Sequence, residues 1–528
     1  MKGKNNKPPG KDKNFVPPGL AKKQDEPATQ TKIQTIKKIN SRHILSSDDI
    51  GKTLHITDYN VTLEIPENDV EEFEIGTSFK ILVDKYNFDE NNEGLSIVSP
   101  GQYSYYAWGN NRDNAVFGHG EDNISKSIRP AGVYYPDLHN FKQIYGGLRL
   151  SLAIDNNNKI YSWGDPFGGL TGNPNFNSSN VPIPVDTSGV LNNIDIVQVS
   201  NGSSLSVALD NNGQVYTWGS GFSGQLGNND TSDSDVPVKV DTSGVLNGVK
   251  IVQISAGDSH VLALSDDGKV YSWGRGFRNT LGNGSTENTS VPVEVDTSGV
   301  LDGVNIVQIS TRGSSCSVLD DNGNVYSWGN GFNGRLGNND TSSSNVPVKV
   351  DTSGVLDGVK IKQISTSSTH TLALSNENKL YSWGSGSRGA LGNGDKEDSS
   401  VPVEVDMSNI PNIEIVQITT GDRYSMILNK QGDIYSWGDN TDGRLGVGSN
   451  FDNLIPVKVD IDNTKIKQIS AGTTYALALP VKQTGITNIT LNNSFLQLNF
   501  LRNYENIELL KVDDNNWLVT GDNTNKTI

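Results

Sequence analysis

A single cysteine in 528 residues, Cys316, excludes an intramolecular disulfide framework and any zinc cluster built on several thiolates. It lies in "SSCSVLD", at a position that suits a small apolar residue, and reads as buried filler. No run of about 18 apolar residues occurs, and none follows the basic start, so neither a membrane span nor a signal peptide is expected. Helix formers are scarce, whereas Gly (56 residues), Asn, Asp, Ser, Thr and Val abound, which suits short strands joined by tight turns. The body of the chain lacks a net positive charge. The net charge is −17, yet residues 1–43 hold eleven Lys or Arg against three acids, leaving about −25 for the rest. An acidic body argues against direct nucleic-acid binding, which relies on basic groups that displace counterions.

Catalytic patterns are also lacking. No HExxH, GxSxG, P-loop or Cys–His spacing is present. Of the six histidines, His43, His55, His119 and His139 stand apart, while His260 and His370 occupy equivalent positions of a repeat and read as structural. "GSGFSG" at 219, "GNGFNG" at 329 and "GSGSRG" at 384 fit GxGxxG, but each follows a strand and precedes no helix. A dinucleotide cradle needs that helix N-terminus, so these glycines read as turn residues. The acidic stretches "NNDTSDSD" and "DNTDG" lack the order of a calcium loop and read as solvated turns. No catalytic residue, metal site or cofactor is expected.

What the sequence does contain is a tandem array. Trp108, Trp163, Trp218, Trp273, Trp328, Trp383 and Trp437 each precede a glycine, at spacings of 55, 55, 55, 55, 55 and 54 residues. One copy reads "VYSWGNGFNGRLGNNDTSSSNVPVKVDTSGVLDGVKIKQISTSSTHTLALSNENK" and holds four strand-like runs, "VYSWG", "VPVKV", "KIKQIS" and "THTLAL". Four short strands per unit, seven times over, predict an all-β, seven-bladed β-propeller over residues 101–480. Tryptophan to the proline of "VP" is 19 residues in units two to seven; unit one replaces that segment with "NISKSIRPAGVYYPDLHNF", which predicts a remodelled outer strand.

The segment "WGSGFSGQLGNND", followed by "VPVKV" and "IVQISAGDSHVLAL", resembles the repeat family named for the regulator of chromosome condensation, and the resemblance covers residues 104–479. It implies that each blade takes inner strands from the end of one unit and outer strands from the start of the next. The ring would then close by pairing Tyr105–Trp108 with Thr474–Leu479, removing exposed sheet edges. The namesake of the family promotes nucleotide exchange on a small GTPase and binds chromatin.

The flanks differ from the array. Residues 1–40 combine Lys, Pro, Gly and Gln with few apolar residues, cannot build a core, and are expected to be an extended arm. Residues 41–100 and 481–528 read as two parts of one discontinuous β-domain, neither holding enough apolar positions alone; two independent caps are the alternative. Asp49, Gly51, Lys52, Pro66, Phe73, Gly76, Lys511, Asn515, Gly521 and the eighth tryptophan, Trp517, resemble the pattern of a small β-domain of bacteriophage tail-fibre and other virion proteins.

One set of residues points to recognition. Four positions after the tryptophan stand Phe167, Phe222, Phe277 and Phe332, and the same loops carry Arg275, Arg278, Arg335, Arg388 and Arg444. Aromatic and Arg side chains anchor interfaces, so this rim is a candidate binding face; packing of the phenylalanines between blades is the alternative. With the virion resemblance, the expectation is a non-enzymatic phage structural protein of tail-fibre, head-fibre or decoration type. Other virion proteins would bind its arm or small domain, a host-surface molecule its propeller, and assembly into homo-oligomers is possible. The alternatives are an intracellular regulator resembling a GTPase exchange factor, placed in the cytoplasm, and a bacterial surface or inhibitor propeller.

Overall fold

The computed structural model describes residues 104–481, apart from 112–115, 119–125, 134–140, 165–169, 177, 411 and 462–463, together with the backbone of eight flanking strands. Seven four-stranded antiparallel sheets form a propeller. Blade one comprises Phe141–Gly146, Leu150–Asp155, Ile160–Gly164 and Ser179–Pro184 from the axis outward. Blades two to six repeat this order, starting at Ile196, Ile251, Ile306, Ile361 and Ile415. Blade seven joins Ile466–Ala471 and Tyr475–Pro480 to Tyr105–Asn110 and Lys126–Val133. Ala476 lies opposite Trp108 and Leu477 opposite Ala107, so the two ends of the array close the ring as the repeat phase requires. The outermost strand of blade seven, Lys126–Val133, is eight residues long where its counterparts have six, and it holds the segment that departs from the repeat.

The innermost strands alternate only in their second half: Ile254 and Ala256 are buried, but a register shift between Ile251 and Gln253 buries Ile251 and leaves Val252 exposed. The second strands differ from the prediction. "HVLALS" alternates in sequence but is buried at every position, because both of its faces pack against neighbouring blades. The small polar residues on that strand make it possible, being easily satisfied where two sheets meet.

Hydrogen bonds join the blades near the axis. Gln198 Nε2 donates to Ile254 O at 2.9 Å, and the N–H of Ile254 donates back to Gln198 Oε1 at 3.0 Å. The same reciprocal clamp joins Gln253 to Ile309, Gln308 to Ile364, Gln417 to Ile469 and Gln468 to Ile144. The recurring "QI" therefore encodes contact between units, not only a strand. Blade four adds a contact that breaks the sevenfold pattern. Arg312 stands where the other blades have Gly147, Gly202, Gly257, Ser367, Gly421 and Gly472. Its guanidinium crosses the central channel and donates to Ala471 O at 2.6 Å, Gly146 O at 3.1 Å and Thr420 O at 3.2 Å. One side chain thus ties blade four to blades six, seven and one.

In the flanks, two further sheets are formed. Thr53–Ile56, Ser78–Val83, Ile507–Asp513 and Asn516–Thr520 make one, and Arg42–Ile44, Thr62–Glu64, Phe495–Gln497 and Thr490–Asn492 the other. Trp517 falls on the strand Asn516–Thr520, and its side-chain environment, like the arm at 1–40, lies outside the described residues.

Candidate functional site

The loop after each tryptophan strand is built on a repeated frame. The hydroxyl before the tryptophan donates to a carbonyl nine residues on, as in Thr217 to Leu226 O, Ser272 to Leu281 O, Ser327 to Leu336 O and Ser382 to Leu391 O, and closes the base of the loop. The tryptophan of the next blade holds the loop from the other side. Trp218 Nε1 donates to Leu170 O at 2.9 Å, and Trp108, Trp163, Trp328 and Trp437 make the equivalent bond to Arg444, Val116, Thr280 and Ala390. The indole N–H groups of Trp273 and Trp383 are buried without a partner. All seven repeat tryptophans are fully buried. The glycine of each "LG" sits beneath the ring: Gly227 has φ +65°, and a Cβ there would come 2.5 Å from Trp273 Nε1. Only glycine accepts both that backbone and that approach.

These fixed bases project the loop tips to solvent on one face, beside the turns that link the two inner strands. The N–H of Ser220 donates to Ser204 O and that of Arg275 to Ser259 O. Phe222, Phe277 and Phe332 are 66%, 56% and 67% exposed, so they do not pack between blades. Phe167 lies in 165–169, outside the described residues. Sequence reasoning overlooked Phe451, 82% exposed in the blade-six loop. It falls off the 55-residue register, where Ser232, Glu287, Ser342 and Glu397 stand in other blades, so periodicity gives no signal for it.

The five arginines separate into four environments. Arg275 and Arg278 are exposed, and their guanidinium carbons lie 4.9 and 5.8 Å from the ring centroid of Phe277. Arg335 is half-buried and donates to Phe332 O at 2.8 Å and to Ser368 O at 2.5 Å; burial, then the charge of Arg278, lowers its pKa from the ordinary value. Arg388 is exposed but paired with Asp452 at 3.3 Å. Arg444 departs from the expected rim. Its side chain is only 3% exposed and is held by Asp439 at 3.5 Å and Asp442 at 2.9 Å. With Arg423 also reaching Asp439, this arginine belongs to an internal ion-pair network and offers nothing to a partner.

Among the described residues no group of catalytic side chains converges elsewhere. His260 and His370 are buried at the starts of their strands, with His260 Nε2 3.0 Å from Thr311 Oγ1 and His370 Nε2 2.7 Å from Ser425 Oγ. Burial lowers both pKa values to about 4. Cys316 Sγ lies 3.2 Å from His260 Nε2, but the thiol is fully buried and burial pushes its pKa up to about 12, the opposite of a reactive thiolate. Among the described residues no three His, Cys, Asp or Glu side chains are grouped to hold a metal ion, and no helix is long and apolar enough to cross a membrane.

Residues 104–483 match the family model described as RCC1-like domain. The chain belongs to that family. It is 34% identical over 338 residues to the ultraviolet-B receptor UVR8 of Arabidopsis thaliana, spanning 64% of this chain and 74% of the receptor. The mitochondrial RCC1 domain-containing protein RUG3 of the same plant is 31% identical over 339 residues, 62% of this chain and 73% of that protein. Human HERC2, an E3 ubiquitin-protein ligase, is 28% identical over 416 residues, which are 78% of this chain but 8% of the ligase. Among solved structures, human WBSCR16 and yeast Prp20p superpose with TM-scores of 0.62 each, at 24% and 23% identity. They cover 71% and 73% of this chain, and 99% and 93% of their own, and show the shared fold.

These relatives overturn the virion reading. The family is represented here by plant and human proteins, so a phage tail-fibre, head-fibre or decoration role, attachment to a host surface and partnership with virion proteins are withdrawn. That reading rested on about a dozen positions in two short flanking segments, whereas the family match spans the whole array. Glycine turns, a Pro and one Trp recur in many small β-domains for reasons of turn geometry alone, so a pattern made of them specifies little.

Proposed function

We propose that this chain is a non-catalytic, intracellular regulator that binds another protein through the face bearing Phe222, Phe277 and Phe332. The observation that carries the reading is the exposure of three phenylalanines at equivalent positions of three consecutive blades, each above half of its surface. Rings of this kind bury about 150–250 Å² each on association and dominate interface energies. Their loops are closed by the buried hydroxyls of Thr217, Ser272 and Ser327, and the blade-three loop also by the indole N–H of Trp328, so little order has to be gained on binding. The flanks at 41–100 and 481–528 are read as one discontinuous domain, supported by Ile81 lying opposite Ile507 across strands from the two segments.

A nucleotide-exchange role is the specific form favoured by the fold it shares with Prp20p, whose structure is described together with its binding to Gsp1p and histones. The test is release of a fluorescent nucleotide from a panel of purified small GTPases. Acceleration by the wild-type chain, lost when Phe222, Phe277 and Phe332 are all changed to Ser, supports both the activity and the face. Absence of acceleration from every GTPase removes the exchange role, and acceleration retained by the triple variant removes the face.

A further inference from the structure

Blade three differs from its neighbours in the charge its loop presents. Loop 275–288 carries Arg275, Arg278 and Glu287, whereas 220–233 carries Asp230 and Asp233 with no base, and 439–452 carries three aspartates against Arg444. In blades two, five and six an aspartate, Asp233, Asp398 or Asp452, accepts the N–H of the loop's second residue, and in blade four the Ser343 hydroxyl does. In blade three Asn288 does so, accepting from Gly276 N–H at 3.0 Å. The carboxylate nearest the loop base is therefore replaced by a neutral amide in the blade that has two arginines. Neither the Arg275 nor the Arg278 guanidinium has a hydrogen-bond or carboxylate partner among the described residues, while that of Arg388, at the position of Arg278, pairs with Asp452.

The backbone is unusual at the same place. Arg278 and Asn279 have φ of 65° and 67°, two successive non-glycine residues in the left-handed region. The second position is Gly224, Gly334 and Gly389 in the loops of blades two, four and five. The left-handed conformation of Arg278 recurs at Asn333 and Arg388 in blades four and five, so what is particular to blade three is Asn279 in place of glycine; Arg278 lies over Phe277 beside a cleft. That cleft, of about 190 Å³, lies between blades three and four and is lined by Asp258, Arg275, Phe277, Arg278 and Ser314. Asp258 is the single carboxylate lining it, and its Oδ1 is occupied by Ser203 Oγ at 2.5 Å.

We infer that the Arg275–Phe277–Arg278 cleft is a receptor for an anionic side chain on an acidic segment of the partner, with Phe277 taking an adjoining apolar group. Two guanidiniums beside one aromatic ring recognise a carboxylate or a phosphate by charge-assisted hydrogen bonds, and neither is paired with Asp258, the carboxylate that lines the same cleft. A basic partner would meet like charge at this point. The inference rests on the binding face proposed above and adds the chemistry of what it binds.

Three fluorescein-labelled ten-residue peptides test it, identical in their Phe and Gly positions and carrying Glu, phosphoserine or Lys at the remainder. Anisotropy is read with the full chain at low salt. The Glu or the phosphoserine peptide binds, the stronger of the two identifying carboxylate or phosphate, and the Lys peptide does not. Arg275→Gln with Arg278→Gln weakens binding at least tenfold, and Lys239→Gln with Lys349→Gln, on the outermost strands, leaves it unchanged. The thermal midpoint of each variant checks folding. Equal weakening by the lysine pair, binding of the Lys peptide or no binding of either anionic peptide overturns the inference. If Phe277→Ser abolishes binding and the arginine pair does not, the face stands without its anion site; if neither changes binding, the face itself falls.

Discussion

Blade three and blade six place arginines in the same loop and use them in opposite ways. Arg444 is buried between Asp439 and Asp442, its backbone carbonyl taking the indole N–H of Trp108. Arg275 and Arg278 stand in solvent over Phe277 with no acid to meet. The difference comes from companions: Asp439 and Asp442 in one loop, Arg275 and Arg278 at the same two positions in the other. An arginine on a propeller loop is thus a brace or a contact according to the acids that share its loop.

Removing the brace should have the largest effect. Arg444→Ala leaves the buried Asp439 with Arg423 at 3.7 Å and two hydrogen bonds from Thr441 but without its buried counter-charge, and a loss of about 3 kcal/mol is expected in urea denaturation of the propeller. A loss below about 1 kcal/mol would make blade six no different from blade three. Next is Arg312→Met, which removes three donations to carbonyls across the channel. It should lower stability by about 2–3 kcal/mol, since bonds from a charged donor contribute more than neutral ones but part is regained from water.

The buried histidines give a comparison in pH. With folded pKa values of about 4, below the unfolded value, His260 and His370 stay neutral in the fold while the unfolded chain takes up protons first. Their stabilising contribution is complete above about pH 6.5 and is lost as pH falls toward 4, roughly 2 kcal/mol for each at pH 5. Unfolding midpoints measured from pH 7 to 4 should fall, and His370→Gln should flatten the slope. The smallest effect is expected in blade three: Arg275→Ala and Arg278→Ala should each change stability by less than about 0.5 kcal/mol in the same denaturation assay.

Much of the architecture was legible because a 55-residue repeat makes each element visible seven times. Blade count and the four strands per unit follow from it, while the phase of the blades and the closure of Tyr105–Trp108 on Thr474–Leu479 come from the family resemblance. What repeats least was least legible. Arg312 is a single departure among glycines and serines, and nothing in its own neighbourhood indicates that its partners lie in blades one, six and seven. The exposure of Phe222 was equally hidden, because an aromatic residue after two glycines fits a buried wedge as well as a projecting tip. Arg444 and Arg278 read alike in sequence, and only the folded loop shows which one meets its aspartates. The glutamine of "QI" was visible as a marker of register, while its reciprocal bond to the next blade needed the ring to be assembled.

The central claim is that function sits in exposed loop tips on a scaffold that does not depend on them. Its most direct test is one variant, Phe222→Ser, Phe277→Ser and Phe332→Ser together, compared with wild type for urea midpoint and for binding of the anionic peptide. The expected result is an unchanged midpoint and at least a tenfold loss of binding. A variant that unfolds early, or one that stays folded and binds as well as wild type, would contradict it.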